Sequence, residues 1–157
     1  MGLDMFLYKK IYIGGQRTEN ANDNLVVIKG NGSAQTRIIV KIKDIDYIEK
    51  EAMYWRKNYA INEWFMDKVG DGGDDNCRYF YVDKRDLEEL RDICREIYFA
   101  KTKKEKKAIA IQKLNTDDLE EYFDDYLSEF ERTYKELNDI INSADYNDAD
   151  FYYYIWY

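Results

Sequence analysis

Three groups of side chains in this chain are of types that do chemistry. The loop Asp71-Gly-Gly-Asp74-Asp75 offers three carboxylates within five residues, and hard cations such as calcium bind clustered oxygens. The EF-hand spacing is absent and no glutamate stands at its twelfth position, so a solvated loop is the plainer reading. Cys77 and Cys94 are the only two cysteines. As buried thiols they would behave as small hydrophobes. As thiolates, joined by Asp74 and Asp75, they would make a zinc site, although zinc sets normally include histidine and this chain has none. A structural disulfide is not expected in a reducing compartment. The pairs Glu120/Asp124 and Glu121/Asp125 sit at i, i+4. Glycosidases and metal-dependent nucleases also use paired carboxylates, but on one helix such pairs fall on the solvated face and repel slightly. A repulsion that is tolerated fits a binding face better than a device for stability.

The absence of histidine removes the usual general base at neutral pH. It also excludes Ser-His-Asp and Cys-His catalysis within the chain, and the zincin pattern. Gly14-Gly15 and Gly30-Asn-Gly32 match neither a Walker loop nor a dinucleotide fingerprint, because no helix opens after Gly30. They read as turn glycines. The lysine cluster 101–107 lacks interleaved aromatics, so phosphate binding is a weaker reading than a solvated linker or an internal partner for nearby acids. The chain is therefore expected to be non-enzymatic.

Charge carries the main signal. Residues 117–150 hold thirteen acids against two bases, Arg132 and Lys135, a balance of −11. The whole chain is −8, which leaves residues 1–116 at +3. Such a concentration repels nucleic acid and suits a basic partner, such as a nucleic-acid-binding protein. Glu120, Glu121, Asp124, Asp125 and Glu131 are the expected contacts. Trp156, in the terminal run Asp150-Phe-Tyr-Tyr-Tyr-Ile-Trp-Tyr157, is the expected aromatic anchor.

These residues need elements to position them. Residues 3–13 read as a strand, and 25–29 with 36–43 as a hairpin. In the second arm Ile38, Val40 and Ile42 share a face opposite Arg37, Lys41 and Lys43. Ile48, Ala52, Trp55 and Tyr59 follow a helical stripe, predicting a helix capped by Asp44 or Asp46 and running to about Met66. Residues 67–76 are a loop, and 77–82 a short strand opened by Cys77. Asp83 starts a helix with the stripe Leu87, Leu90, Cys94 and Ile97, and Asp86 completes a capping arrangement. Residues 101–107 are a basic connector or helix start. Asn115 or Thr116 caps a long helix over 117–142 with the stripe Leu119, Phe123, Tyr126, Phe130, Tyr134, Leu137 and Ile141, its early acids favourable to the helix dipole. The segment 150–157 is a terminal strand that buries Phe151, Tyr153 and Ile155 and exposes Tyr152, Tyr154 and Trp156.

The predicted class is α+β, a small antiparallel sheet with three or four helices on one face. One domain over 1–157 is expected, with the acidic helix and aromatic segment at 117–157. Hydrophobic residues at 45% and aromatics at 17% argue against disorder. No run is long enough to span a membrane. The N-terminus lacks the pattern of a signal peptide, and Phe6 breaks the myristoylation motif, so a cytoplasmic location is expected.

Gly2-Leu-Asp-Met5, Tyr54-Trp-Arg-Lys57 followed by Ile61 and Trp64-Phe65, Asp75-Asn-Cys77, and the Leu87/Leu90/Cys94 helix resemble a family of small phage and prophage proteins. The resemblance covers roughly residues 1–98. In that family a histidine often follows the isoleucine, where this chain has Asn62, which weakens any metal site built on that histidine and the two cysteines. Residues 114–134 are more acidic than the family pattern, which implies adaptation to a particular partner. Small acidic phage proteins of this kind resemble host-takeover and anti-defence factors. The resemblance thus implies an inhibitor of a host defence or nucleic-acid-handling protein in the host cytoplasm, an anti-CRISPR protein acting on a Cas9-type effector being the concrete form. The alternatives are a metal-binding enzyme or ligand-binding protein using the 71–77 loop and the two cysteines, and a phage structural or scaffold protein.

Overall fold

In the computed structural model the described residues are 2–12, 25–29, 37–41, 46–73, 76–116 and 118–157. Strands β1 (Asp4–Tyr12), β4 (Tyr47–Arg56), β5 (Tyr79–Val82) and β6 (Ala149–Trp156) form one antiparallel sheet in the order β4-β1-β6-β5. Strands β2 (Leu25–Lys29) and β3 (Arg37–Lys41) pair as a separate antiparallel hairpin. The helices are α1 (Tyr59–Val69), α2 (Lys84–Phe99), α3 (Lys103–Leu114) and α4 (Asp118–Ile141). The fold is α+β, as the residue patterns imply.

Strand alternation sends Met5 and Leu7 of β1, Met53 and Trp55 of β4, Phe80 and Val82 of β5, and Phe151, Tyr153 and Ile155 of β6 to one face, where all are buried. The helices cover that face. Phe65 of α1 stacks on Tyr153 with ring centroids 4.2 Å apart, an arrangement worth about 0.5–1.5 kcal/mol beyond the area it buries. Trp55 donates its indole N–H to Thr133 Oγ1 of α4 at 2.9 Å, and the Tyr153 hydroxyl donates to Asn62 Oδ1 at 2.9 Å. Both bonds satisfy polar atoms inside the core. Lys9, the one charged residue buried on this face among the described residues, reaches Ser143 and the Asp145 carboxylate beyond the end of α4.

The long helix expected from Asp44 or Asp46 to about Met66 is two elements. Residues 47–56 are strand β4, and helix α1 begins at Tyr59. The cause is a bulge. Leu7 pairs with Met53 but Tyr8 pairs with Glu51, so Ala52 is an extra residue on β4. A bulge breaks the period of two, and here it leaves the apolar residues at steps of four and three, which imitates a helical stripe. Lys57, with φ of 53°, ends the strand, and Asn58 Oδ1 then accepts the Ile61 amide at 3.1 Å as the α1 cap. At the other end of α1 a Cβ on Gly70 would lie 2.4 Å from the Met66 carbonyl oxygen, so only glycine closes that turn. Cys77 does not open β5. It sits in the preceding turn with φ of 60°, a left-handed conformation no strand continues from.

Thr102 and Glu105 form a complete capping box, so the lysine cluster lies on a true helix, α3. Asn115 ends α3 in the left-handed conformation. Thr116 starts α4 through its carbonyl, which accepts the Leu119 amide; its hydroxyl has no partner, so the side-chain cap does not form. The α4 stripe is buried at Leu119, Phe123, Tyr126, Phe130 and Leu137, with Tyr134 and Ile141 packed against it. The residues of β2 and β3 are described by backbone pairing alone, so the expected Ile38/Val40 face lies outside the described side chains, and Ile42 lies outside the described residues. No helix among the described residues is long and apolar enough to cross a membrane.

Candidate functional site

The first two turns of α4 hold the acidic cluster. Glu120, Glu121, Asp124 and Asp125 are all exposed, because the stripe through Leu119, Phe123 and Tyr126 turns them outward. The backbone kinks at Tyr122, and Glu121 accepts a hydrogen bond from the Tyr122 hydroxyl, which raises that phenol's pKa. The lysine cluster answers only part of this charge. Lys103 pairs with Asp124 at 2.6 Å, and Lys107 donates to the Glu120 carbonyl at 2.5 Å. The carboxylates of Glu120 and Asp125 have no ion-pair partner among the described residues. Further along, Glu131 is paired with Lys135 at 2.6 Å and half-buried. Glu129 and Glu136 flank Arg132, which also donates to the Tyr54 carbonyl at 2.7 Å. That contact satisfies an outward carbonyl on the edge strand β4, the kind of group that otherwise invites pairing with another chain.

Trp156 is 54% exposed, as its position in the strand alternation implies. It is not beside the acids. Phe151, Tyr153 and Ile155 face the helices, so Trp156 projects from the opposite side of the sheet, in register with Asp4 and, beyond it, Arg56.

That opposite side is a surface the reading of charge alone passes over. Row by row across the strands it carries Tyr54, Phe6, Tyr154 and Tyr79; then Glu51, Tyr8, Tyr152 and Tyr81; then Glu49, Lys10 and Asp150; then Tyr47 and Tyr12. The rings pack on one another across the strands: Phe6 lies 5.1 Å from Tyr54 and Tyr79 lies 4.7 Å from Tyr154. Tyr12, Tyr47, Tyr79 and Tyr81 are nonetheless exposed, each by 45% or more. The hydroxyls of Tyr8, Tyr54, Tyr79, Tyr152 and Tyr154 are held protonated at neutral pH and so remain donors. A hydrogen bond with Tyr12 pushes Tyr152 up to about 12. Hydrogen bonds with Cys77 and with Asp4 raise Tyr154 and Tyr54, and burial raises Tyr8 and Tyr79. Lys10 lies among these rings. Burial pulls its pKa down, but the Glu49 carboxylate at 3.3 Å outweighs that and holds it above the usual lysine value. The alternation of β1, β5 and β6 was a sufficient signal for this face. On β4 the bulge hid it.

The cysteines occupy unlike places. Cys94 is fully buried on α2, and burial alone raises its thiol far above the usual value. Cys77 is exposed, its amide donating to the Ile155 carbonyl at 2.8 Å and its thiol lying 3.5 Å from Asn76 Oδ1. Asp71 is tied to Arg78 at 2.6 Å, and that contact, with the Gly73 amide, lowers it to about 2. Asp74 and Asp75 lie outside the described residues. Among the described residues no group of three or more Cys, Asp or Glu side chains is arranged to hold a metal ion.

No protein-family model, no curated protein and no solved structure matches the chain.

Proposed function

We propose that this chain is a binding protein that inhibits a nucleic-acid-handling host protein by docking on its basic surface through the first turns of α4. The observation that carries the reading is the exposed set Glu120, Glu121, Asp124 and Asp125, for which α3 supplies one paired ammonium, Lys103. A carboxylate face of this kind mimics the charge of a nucleic-acid backbone. It speeds encounter with a cationic groove and selects against neutral or acidic partners. Glu131 flanks the set as a weaker contact, because Lys135 already engages it. The resemblance of residues 1–98 to phage proteins supports a host-defence target, an anti-CRISPR role against a Cas9-type effector being its most specific form.

The test is capture from nuclease-treated bacterial lysate at low and moderate salt, followed by reconstitution with the purified target and an assay of that target's nucleic-acid binding. A fourfold reversal, Glu120→Lys, Glu121→Lys, Asp124→Lys and Asp125→Lys, is expected to abolish both binding and inhibition. Binding that survives the reversal with its salt dependence intact sinks the reading.

A further inference from the structure

The sheet face away from the helices carries ten aromatic side chains on four strands, and no described helix packs over it. A contiguous exposed aromatic surface on a folded chain marks an interaction site. Tyrosine and tryptophan suit that use, since they offer large contact area with few rotatable bonds. What such a face binds is set by its charge. Four carboxylates, Asp4, Glu49, Glu51 and Asp150, stand among the rings, against two bases, Lys10 and Arg56. Both bases are already engaged, Lys10 by Glu49 at 3.3 Å and Arg56 by Asp4 at 3.9 Å. Glu51 and Asp150 have no ion-pair partner among the described residues. Phosphate is therefore repelled, and two copies placed face to face would set like charges against each other.

The face also shows how it holds a cation. The Lys10 ammonium lies 4.6 Å from the centroid of the Tyr152 ring, 4.8 Å from that of Tyr47 and 5.8 Å from that of Tyr79, with the Glu49 carboxylate beside it. Ring faces with an adjacent carboxylate are the environment in which a cation is stabilised by a ring quadrupole and an anion together. In the row next to Lys10, Glu51-Tyr8-Tyr152-Tyr81, the Tyr152 ring is the one under the Lys10 ammonium, while Glu51, Tyr8 and Tyr81 have no cation of their own among the described residues.

We infer that this face is a second docking surface, separate from α4, that takes an arginine-bearing extended segment of a protein partner. Guanidinium groups stack on Tyr79 and Tyr81, with Asp150 on the neighbouring strand as their carboxylate, and on Tyr8 beside Glu51. Arginine fits better than lysine because its planar group lies flat on a ring while its N–H groups reach a carboxylate. This does not depend on the acidic-helix reading, since the two surfaces lie on opposite sides of the sheet.

The experiment uses the full chain carrying the fourfold α4 reversal, so that the acidic helix cannot capture a cationic probe. Amide NMR shifts are followed on titration with a synthetic arginine–glycine repeat peptide, with lysine–glycine and glutamate–glycine repeats and oligouridylate as comparisons. The arginine repeat is expected to shift Tyr79, Tyr81, Tyr8 and Glu51. Tyr79→Ser and Tyr81→Ser, both at exposed positions of an edge strand, are expected to weaken it by roughly fivefold each, the equivalent of one cation–π contact. The inference is overturned by the absence of shifts on the sheet or by full binding in both serine variants. It is equally overturned if the lysine repeat or oligouridylate shifts the sheet as strongly, or if self-association accounts for the shifts.

Discussion

Two neighbouring rows of one sheet face opposite sides. Met53, Leu7, Tyr153 and Phe80 lie under the helices, each 6% exposed or less. One residue along each strand, Tyr54, Phe6, Tyr154 and Tyr79 cross the same four strands on the side over which no described helix packs. Tyr153 and Tyr154 are the same residue type on adjacent positions, yet one anchors the core through Asn62 and the other contacts Cys77 and Tyr79 near the surface. Aromatic content is therefore no measure of core. A ring stabilises the fold only as far as something covers it, and an uncovered ring is available to a partner.

That contrast breaks first, if it is wrong, under large-to-small substitution. Trp55→Ala removes a fully buried indole and leaves Thr133 unpaired, and is expected to cost about 3–5 kcal/mol in urea unfolding. Tyr81→Ala on the other side should stay within about 0.5 kcal/mol of the parent. Similar losses at both positions would mean the second face is also covered. A finer comparison removes only a hydroxyl. Tyr153→Phe leaves the buried Asn62 carbonyl without its donor and should cost about 1–3 kcal/mol, whereas Tyr154→Phe should change stability by less than about 0.5 kcal/mol. Equal effects would erase the distinction between the rows.

The smallest effect lies in the loop before β5. The Asp71 carboxyl is expected to titrate at about 2 by NMR because Arg78 and the Gly73 amide hold its ionised form. Its folded value is depressed, so its contribution to stability is present above the ordinary carboxylate value of about 3.9 and is lost as the pH falls through about 2. In Arg78→Met the titration should move back toward the ordinary value, and no movement would mean the pair is not formed in solution.

Much of this was legible along the chain. The α4 stripe, the α2 stripe and the alternation of β6 each follow from local periodicity, and the structure buries the residues these patterns select, apart from Tyr134 and Ile141, which are half-buried against the core. The acids of α4 are exposed as the same stripe requires. Residues 47–56 were illegible because a single bulge at Ala52 shifts the alternation and leaves helical spacing in a strand. The open aromatic face was only half visible, since Tyr152, Tyr154 and Trp156 announced it on β6 while Tyr54 and Tyr47 sit on opposite parities of β4 and reach one face only through that bulge.

The sequence by itself determined where the negative charge lies, which residues of β1, β5 and β6 share a side, and that no histidine is present for catalysis. These are properties of composition and of short-range period, and each is readable within a few residues. Only the tertiary structure decided which side of the sheet the helices cover, that Trp156 stands on the other side from the acidic helix, and that Lys103 meets Asp124 while Glu120 and Asp125 find no ion-pair partner among the described residues. Those outcomes depend on strand order and helix packing between segments far apart in the chain, and no local pattern encodes a pairing such as Leu7 with Met53 or Leu7 with Tyr153.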